Sequence, residues 1–253
     1  MRWVALAVCQ LLSASDAGSP RGTADKQALP QLLARLDALQ LRRDQGAALA
    51  EAHRLAAEAL AVAPSDFGAL WRAARVRVAE SEQPSQSPAE RSRLGKEAYD
   101  LAEQAIAANP NDVAGHYWAV LGIGNYAQGI GVLRALASGV EGKFKKPLER
   151  ATALDERYDH GGIPVIWAAY YLELPWPKRD RARAAQYLQR ALAINPANLR
   201  ARLYQARIAI DEDRPAEARA RLAEIASASV GKYDPPEERR VKQEAAALAR
   251  KVP

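Results

Sequence analysis

Four titratable residues stand close together near the middle of the chain: Asp155, Glu156, Asp159 and His160. An imidazole beside carboxylates can carry general acid–base chemistry if the side chains converge. Gly161 and Gly162 follow directly, which places the group at the end of a predicted helix, where charged residues more typically cap the helix or face solvent. We therefore expect no catalysis there and interpret the chain as a non-enzyme.

Other chemistry-bearing patterns are absent from the sequence. It contains no G-x-S-x-G, no P-loop, no G-x-G-x-x-G and no H-E-x-x-H. The single cysteine, Cys9, excludes a disulfide and a cysteine-based zinc site. The three histidines, His53, His116 and His160, are too far apart for local metal-ligand spacing. We expect no catalytic residue, no metal and no cofactor.

The net charge of +6 comes from one segment, since residues 178–221 contain eleven Lys or Arg and five Asp or Glu. Arginines such as Arg183, Arg190 and Arg200 recur there at helical spacing among alanines. This pattern is more typical of a solvated helix face than of a phosphate-binding surface. We expect no nucleic-acid partner.

The N-terminus, Met1–Asp16, has one positive charge, a short apolar stretch and then small residues. This is the form of a bacterial secretory signal peptide, which predicts a periplasmic or secreted protein. The alternative is a first helix of a cytoplasmic protein, and whether Cys9 is lipidated stays open. Residues 17–28 are interpreted as a flexible lead-in. No later apolar run reaches the ~20 residues of a membrane-spanning helix, so none is expected in the mature chain.

The composition predicts a helical protein, because 55 of the 253 residues are alanine, the strongest helix former. The sequence also contains an internal repeat of small or apolar residues with spacings of four and three, each copy ending at a helix-terminating position. The four copies are Ala52, Ala56, Ala59, Pro64; Ala98, Ala102, Ala105, Pro110; Phe144, Leu148, Ala151, Glu156; and Ala184, Leu188, Ala191, Pro196. A final partial copy is Ala218, Leu222, Ile225. Each copy predicts a helix that packs closely against a neighbour.

This repeat resembles the tetratricopeptide repeat. The resemblance implies an all-α, right-handed solenoid of antiparallel helix pairs that binds proteins or peptides. The helix-ending positions are 46, 46 and 40 residues apart, against 34 in the family, so irregular, long connections are expected. We assign residues 29–252 to this one domain. It contains about four helix pairs, a first helix near Leu29–Leu41 and a capping helix at 235–252.

The resemblance also implies a binding surface, because the first helix of each pair lines the concave groove in tetratricopeptide stacks. The predicted groove residues are Trp71, Arg75, Tyr117, Leu121, Leu203 and Arg207. Aromatic residues and arginines supply much of the energy at protein interfaces, and two arginines would suit an acidic or carboxylate-ended peptide. The alternative is that Trp71 and Tyr117 belong to the core and that the arginines only solvate the surface. The oligomeric state and the identity of the partner stay open.

The central segment 115–177 is rich in glycine and aromatic residues. It is similar to the T component of tripartite ATP-independent periplasmic (TRAP) transporters, which implies an accessory protein that binds an apolar solute and a solute-binding protein. His116-Tyr117-Trp118-Ala119 is also similar to the regulators of microtubule dynamics. The predicted apolar ligand cleft consists of Trp118, Tyr126, Trp167 and Tyr171. Aromatic residues at helical spacing can equally form core, and Gly115, Gly122 and Gly129 can equally mark a close helix crossing.

Overall fold

A computed structural model describes residues 20–231 and 233–252, and every regular element in that part of the chain is an α-helix. The helices are α1 Pro20–Gln40, α2 Ala48–Val62, α3 Phe67–Ser81, α4 Pro88–Ala108, α5 Val113–Ile130, α6 Val132–Ala137, α7 Val140–Asp155, α8 Tyr158–Glu173, α9 Arg181–Ile194, α10 Leu199–Asp211, α11 Pro215–Ser227 and α12 Pro235–Ala249. The all-α prediction is confirmed. The predicted signal peptide, 1–16, lies outside the described residues.

The first helix is longer than the sequence suggests. Helix α1 begins at Pro20, within the segment interpreted as a flexible lead-in, and not near Leu29. Leu32, Leu36 and Leu39 are buried against α2. Once that packed part is formed, each further residue adds one hydrogen bond at little cost, which favours extension towards the N-terminus.

The helices pack as consecutive antiparallel pairs. The pairs are α1–α2, α3–α4, α5–α7, α8–α9 and α10–α11, and α12 packs against both α10 and α11. The structure therefore has five pairs among the described residues, one more than expected, because the first helix also has a partner. The short helix α6 occupies the connection between α5 and α7. This insertion accounts for the long repeat spacing there.

The repeat residues form the contacts between the helices. Most of the repeat positions are buried, including Ala59, Ala105, Leu148, Ala191 and Ile225, which are fully or almost fully inaccessible. Among the small or apolar positions Phe144 is the exception, because it is half-buried and stacks on the Tyr170 ring at a centroid distance of 5.5 Å; the helix-ending positions are not buried. The spacing of four and three thus identified the packed face in each copy, apart from the first position of the third.

The predicted helix ends also have the expected chemistry. Asp112 follows Pro110 and caps α5, with its carboxylate accepting a hydrogen bond from the Ala114 amide at 2.9 Å. Asn198 follows Pro196 and caps α10 by accepting from the Ala201 amide at 2.9 Å. Each cap satisfies an amide that lacks a partner in the first turn of a helix.

Glycines allow α4 and α5 to cross closely. A Cβ atom at Gly122 would lie 2.6 Å from the Tyr99 amide nitrogen, and one at Gly95 would lie 2.5 Å from the Tyr126 amide nitrogen. Gly129 is equally close to the backbone at Pro88. Of the two readings of these glycines, the structure therefore supports a close crossing for Gly122 and Gly129.

The last helix is tied back to the first half of the chain by three ion pairs, which we call the terminal clasp. Arg43 Nη1 lies 2.6 Å from Asp234 Oδ1, and Arg239 Nε lies 2.6 Å from Asp44 Oδ2. Arg240 Nη1 lies 2.9 Å from Glu82 Oε2 in the α3–α4 loop. The clasp connects segments almost 200 residues apart in sequence. The solenoid therefore curves until its two ends meet.

In the part of the chain that the structure describes, no helix combines the length and the apolar character that crossing a membrane requires.

Candidate functional site

A concave groove of about 910 Å³ runs through the centre of the molecule. Half of its lining residues lie on the first helices of the pairs, α3, α5, α8 and α10, and most of the others come from α12, α6, α7 and the loops. Residues that line this central groove include Arg75, Tyr117, Leu121, Asn125, Asp159, Ala169, Glu173, Tyr204, Arg207, Asp234 and Glu244. The volume lies in the range of ligand-binding pockets.

Four of the six predicted groove residues line the central groove: Arg75, Tyr117, Leu121 and Arg207. Tyr117 and Leu121 lie one turn apart on α5, and Arg75 and Arg207 come from α3 and α10 on either side. The helix phase inferred from the repeat thus brought residues from three helices to the same surface.

Trp71 and Leu203 do not line the groove. Leu203 is fully buried in a core cluster with Val241 and Ala245 of α12, so the capping helix occupies the space that a partner would need. Trp71 is half-buried, and the guanidinium groups of Arg72 and Arg75 lie 4.1 and 5.0 Å from its ring centroid. For Leu203 the expected role at a binding surface is therefore corrected to a structural one, whereas Trp71 lies outside the central groove and its role stays a prediction.

Both predicted groove arginines are already engaged within the chain. Arg75 Nη2 lies 2.8 Å from Asp37 Oδ1, and the Arg75 side chain is 9% exposed. Arg207 Nη2 lies 3.0 Å from Glu244 Oε2. Both arginines are thus held by carboxylates of the chain itself and are less available to the acidic peptide that the sequence suggests, although Arg75 shares Asp37 with Arg72.

The predicted apolar cleft does not form as one surface. Trp118 lines the central groove, whereas Tyr126, Trp167 and Tyr171 do not. Trp167 is 5% exposed, donates its indole N–H to Thr152 Oγ1 at 2.9 Å and stacks on Tyr187. Tyr171 stacks on the same Tyr187 ring at 5.9 Å. Tyr126 is half-buried against the central core cluster. For Trp167, Tyr171 and Tyr126 the core reading is the one that the structure supports.

The first turn of α8 contains an unusual backbone that sequence reasoning missed. Three consecutive residues are left-handed: Asp159 at φ 52° and ψ 44°, His160 at φ 53° and ψ 39°, and Gly161 at φ 87° and ψ 21°. Non-glycine residues seldom adopt this conformation, although Asp and His do so more often than most, and such runs concentrate at functional sites. The Asp-His-Gly-Gly sequence is the signal that could have indicated it.

Two close contacts explain the glycines of that turn. A Cβ atom at Gly162 would lie 2.7 Å from the Tyr117 hydroxyl oxygen, and one at Gly161 would lie 3.1 Å from the Ala191 carbonyl oxygen. The glycines thus allow the turn to pack between α5 and α9 while Asp159 and His160 line the groove.

Asp159 is the carboxylate at one end of the groove. It accepts a hydrogen bond from the Tyr117 hydroxyl, and part of its surface faces the water of the groove. The surrounding protein raises the pKa of Asp159 above its ordinary value, and the Tyr117 hydrogen bond opposes this only in part. The negative charges of Asp234 and Glu237 act in the same direction as burial.

Glu173 is a second carboxylate of this kind, at the other end of α8. Glu173 is exposed to the groove, yet the surrounding protein raises its pKa, while the neighbouring Gln128 side chain and the charge of Arg207 lower it, with a net upward shift. No Lys or Arg of the described residues forms an ion pair with Asp159 or with Glu173. The groove therefore contains two carboxylates that have no ion-pair partner among the described residues.

The four titratable residues near the α7–α8 junction do not converge. Asp155 Oδ1 accepts from the Arg157 amide at 2.9 Å, Glu156 lies 3.6 Å from Arg190, and Asp159 bonds to Tyr117. The His160 ring lies against the Tyr233 ring, with centroids 4.6 Å apart. Each residue has a different partner, as expected for capping and surface roles. Among the described residues, no group of three or more His, Cys, Asp or Glu has an arrangement that could hold a metal ion.

Comparison with protein families gives two matches. The model for the regulator of microtubule dynamics proteins 1-3 matches residues 32–160, about half of the chain, and its match ends at the left-handed turn of α8. A tetratricopeptide-repeat model matches residues 178–232, which hold α9, α10 and α11.

A solved structure has the same fold. The crystal structure of a thermophilic tetratricopeptide-repeat protein from Thermus thermophilus superposes with a TM-score of 0.63 at 19% identity, covering 88% of this chain and 97% of that one. This similarity concerns the fold alone. No curated protein matches the sequence. None of these matches concerns the transporter T component, so that resemblance stays a prediction.

Proposed function

The chain belongs to the family of the regulator of microtubule dynamics proteins 1-3 and is a tetratricopeptide-repeat protein, and from this premise we propose that it is a non-enzymatic scaffold whose central groove binds a segment of a partner protein. Stacked helix pairs bury a continuous core and leave a concave surface available to partners. The regulation of microtubules in the family's name is a property of the proteins so named. For this chain we propose only the binding of a protein segment.

The observation that carries this proposal is the composition of the groove surface. It combines half-buried and buried apolar residues such as Leu121, Ile166 and Ala169 with polar groups such as Asn125 and Tyr204. A surface of apolar contacts with a few placed polar groups is typical of ligand-binding sites. Arg75, Tyr117, Leu121 and Arg207 are the proposed binding residues that remain from the sequence prediction.

A groove-blocking variant tests the proposal. Ala169→Trp places a large side chain in the groove, and Ala220→Trp makes the same change at an exposed position of α11 outside it. A random peptide library is selected on the wild-type protein, and the affinity of each enriched peptide for both variants is measured. We expect affinity to fall at least tenfold in Ala169→Trp and to stay unchanged in Ala220→Trp. Peptides that bind both variants as tightly as the wild type would contradict groove binding.

We also propose that the protein is exported to the periplasm of a bacterium or secreted, on the strength of the signal-like segment Met1–Asp16. The measurement is the N-terminal sequence of the protein purified from a Gram-negative host. A mature chain that begins within residues 15–19 is expected. Soluble cytoplasmic protein that retains Met1 would argue against export.

A further inference from the structure

The charges of the central groove do not balance. Among the described residues, its lining carries eight carboxylates and six arginines, although the whole chain has a net charge of +6. Five of the eight carboxylates form ion pairs with Arg or Lys, and the side chain of Glu238 accepts hydrogen bonds from the amides of Gly231 and Tyr233. The two that remain are Asp159 and Glu173.

These two carboxylates are separated along the groove by a distance that helix α5 defines. Asp159 is hydrogen-bonded to Tyr117, and the Gln128 side chain lies close enough to Glu173 to lower its pKa. Eleven residues of helix between Tyr117 and Gln128 correspond to about 16 Å. An extended polypeptide covers that distance in about five residues.

An unpartnered amide lies between them. Asn125 is 6% exposed and lines the groove on the same helix, and its Nδ2 has no hydrogen-bond partner in the described chain. A buried amide without partners is unfavourable. The peptide group of a ligand supplies both a donor and an acceptor, so it can pair with whichever end of the Asn125 amide faces the groove. A protonated amine supplies donors only.

We propose that the central groove binds an extended, basic segment of polypeptide, with one cationic side chain against Asp159, a second against Glu173, and the Asn125 amide hydrogen-bonded to the backbone between them. This inference rests on the proposed function and adds the chemistry of the partner. It reverses the sequence-based expectation of an acidic peptide, because five of the six groove arginines already have carboxylate partners; the sixth, Arg91, donates a hydrogen bond to Gln128.

The two ends of the groove differ in their surroundings. Near Asp159 the carboxylates of Asp234 and Glu237 add negative potential, although both are paired with arginines. Near Glu173 the positive charge of Arg207 acts in the opposite direction, and Arg207 is paired with Glu244. A cation is therefore expected to gain more at Asp159 than at Glu173.

The first experiment measures the binding of capped hexapeptides by calorimetry. The probe is acetyl-Lys-Ala-Leu-Ala-Leu-Lys-amide, and the controls replace both lysines with glutamine or with glutamate. We expect the lysine peptide to bind the wild-type protein at least tenfold more tightly than the glutamine peptide, and the glutamate peptide to bind most weakly. Equal affinities, no binding of the lysine peptide, or tighter binding of the glutamate peptide would overturn the inference.

The second experiment tests whether Asp159 and Glu173 are the carboxylates that bind the lysine side chains of the peptide. Asp159→Asn and Glu173→Gln keep the shape of each side chain, and Asp100→Asn and Glu149→Gln are the same changes at exposed positions outside the groove. Each groove variant should bind the lysine peptide at least tenfold more weakly than the wild type does, with the larger loss in Asp159→Asn. The affinity for the glutamine peptide should be unchanged. The exposed variants should bind as the wild type does. Urea unfolding of each variant verifies that it is folded. Wild-type affinity in both groove variants would overturn the inference.

The third experiment distinguishes a peptide from a small amine. Asn125→Ala should lower the affinity for the lysine peptide and leave the weak binding of spermine unchanged. If spermine binds more tightly than the lysine peptide and depends on both carboxylates, the occupant is a small amine and the inference is wrong. If the library yields groove-dependent peptides that are neutral or acidic, the inference fails while the proposed function stands. If no groove-dependent peptide is found, the proposed function itself fails.

Discussion

The Tyr117 hydroxyl donates a hydrogen bond to the Asp159 carboxylate and so joins the start of α5 to the left-handed turn of α8 across 42 residues of sequence. Tyr117 is 5% exposed, whereas Asp159 faces the groove. Burial raises the pKa of the Tyr117 hydroxyl well above its ordinary value, and the neighbouring carboxylate adds to this, so the hydroxyl keeps its proton and donates to the ionised Asp159 carboxylate, which can only accept. The buried, neutral Tyr117 side chain thus fixes the position of the Asp159 carboxylate at the groove surface.

Removing the charge of Asp159 should stabilise the protein at neutral pH. The folded-state pKa of Asp159 is raised above 3.8, so its ionised form is less favourable in the folded than in the unfolded state. The destabilisation of the folded protein by the ionised Asp159 carboxylate is complete above the folded-state pKa and disappears as the pH falls to 3.8. Asp159→Asn keeps the Tyr117 contact and tolerates the left-handed backbone.

The measurement is the urea midpoint of the wild type and of Asp159→Asn between about pH 4 and pH 7. We expect a higher midpoint for the variant at neutral pH and convergence of the two proteins at the acid end of this range. A lower midpoint for the variant at neutral pH would show that the carboxylate stabilises the fold, contrary to this account.

Asp37 should be important for stability because it neutralises buried arginine. Partial burial raises the pKa of Asp37, but hydrogen bonds and charge from Arg72 and Arg75 outweigh this and the net shift is downward. Asp37→Asn leaves the Arg75 guanidinium, which is 9% exposed, without a counter-charge. Because the Asp37 side chain is itself 43% exposed, we expect a loss of about 2 kcal/mol in the free energy of unfolding at neutral pH, less than for a fully buried pair.

Urea unfolding checks this, with Glu58→Gln as the control, since Glu58 pairs with Arg54 on the surface of α2. The control should change the free energy by less than about 0.5 kcal/mol. The stabilisation from Asp37 is present above pH 3.8 and is lost as the pH falls through its lowered folded-state pKa, so the difference between wild type and variant should shrink in acid. Equal effects of the two substitutions would contradict the role of Asp37.

The close crossing of α4 and α5 predicts opposite results for two neighbouring glycines. In Gly122→Ala the new methyl group would lie 2.6 Å from the Tyr99 amide nitrogen, so the helices must separate. In Gly124→Ala the nearest atom is Phe144 Cε2 at 3.4 Å, which is an ordinary contact. We expect Gly122→Ala to destabilise by about 2 kcal/mol or more and Gly124→Ala to be neutral or to stabilise by up to about 1 kcal/mol. Thermal unfolding of the two variants tests this prediction, and similar melting temperatures would contradict the close crossing of α4 and α5 at Gly122.

The terminal clasp predicts that the last helix is held partly by charge. The double variant Arg43→Gln, Arg239→Gln removes two of its three ion pairs. Hydrogen exchange of the α12 amides should become at least tenfold faster in this variant, while α5 remains unchanged. The control, Arg54→Gln with Arg93→Gln, removes ion pairs that lie within single helices. Unchanged protection of α12 in the clasp variant would mean that its apolar contacts suffice.

Local patterns in the sequence determined the helices and their packed faces. Spacings of four and three placed Ala98 and Ala105 on the packed face of α4 and Ala191 on the packed face of α9. Prolines followed by Asp112 and Asn198 marked where one helix ends and the next begins. These features depend on residues within one or two turns of each other, so one sequence is enough to read them. The same phase placed Arg75, Tyr117, Leu121 and Arg207 at the groove.

Tertiary structure alone decided the chemistry of the groove. The partner of Arg75 is Asp37, 38 residues earlier, and Leu203 is covered by α12, so neither the neutralised charge nor the buried leucine follows from local spacing. The clasp between Arg43 and Asp234 depends on how far the solenoid curves, which is the sum of small rotations at every helix pair. Because these rotations accumulate over the whole chain, only the complete fold shows that Asp159 and Glu173 are left without cationic partners among the described residues.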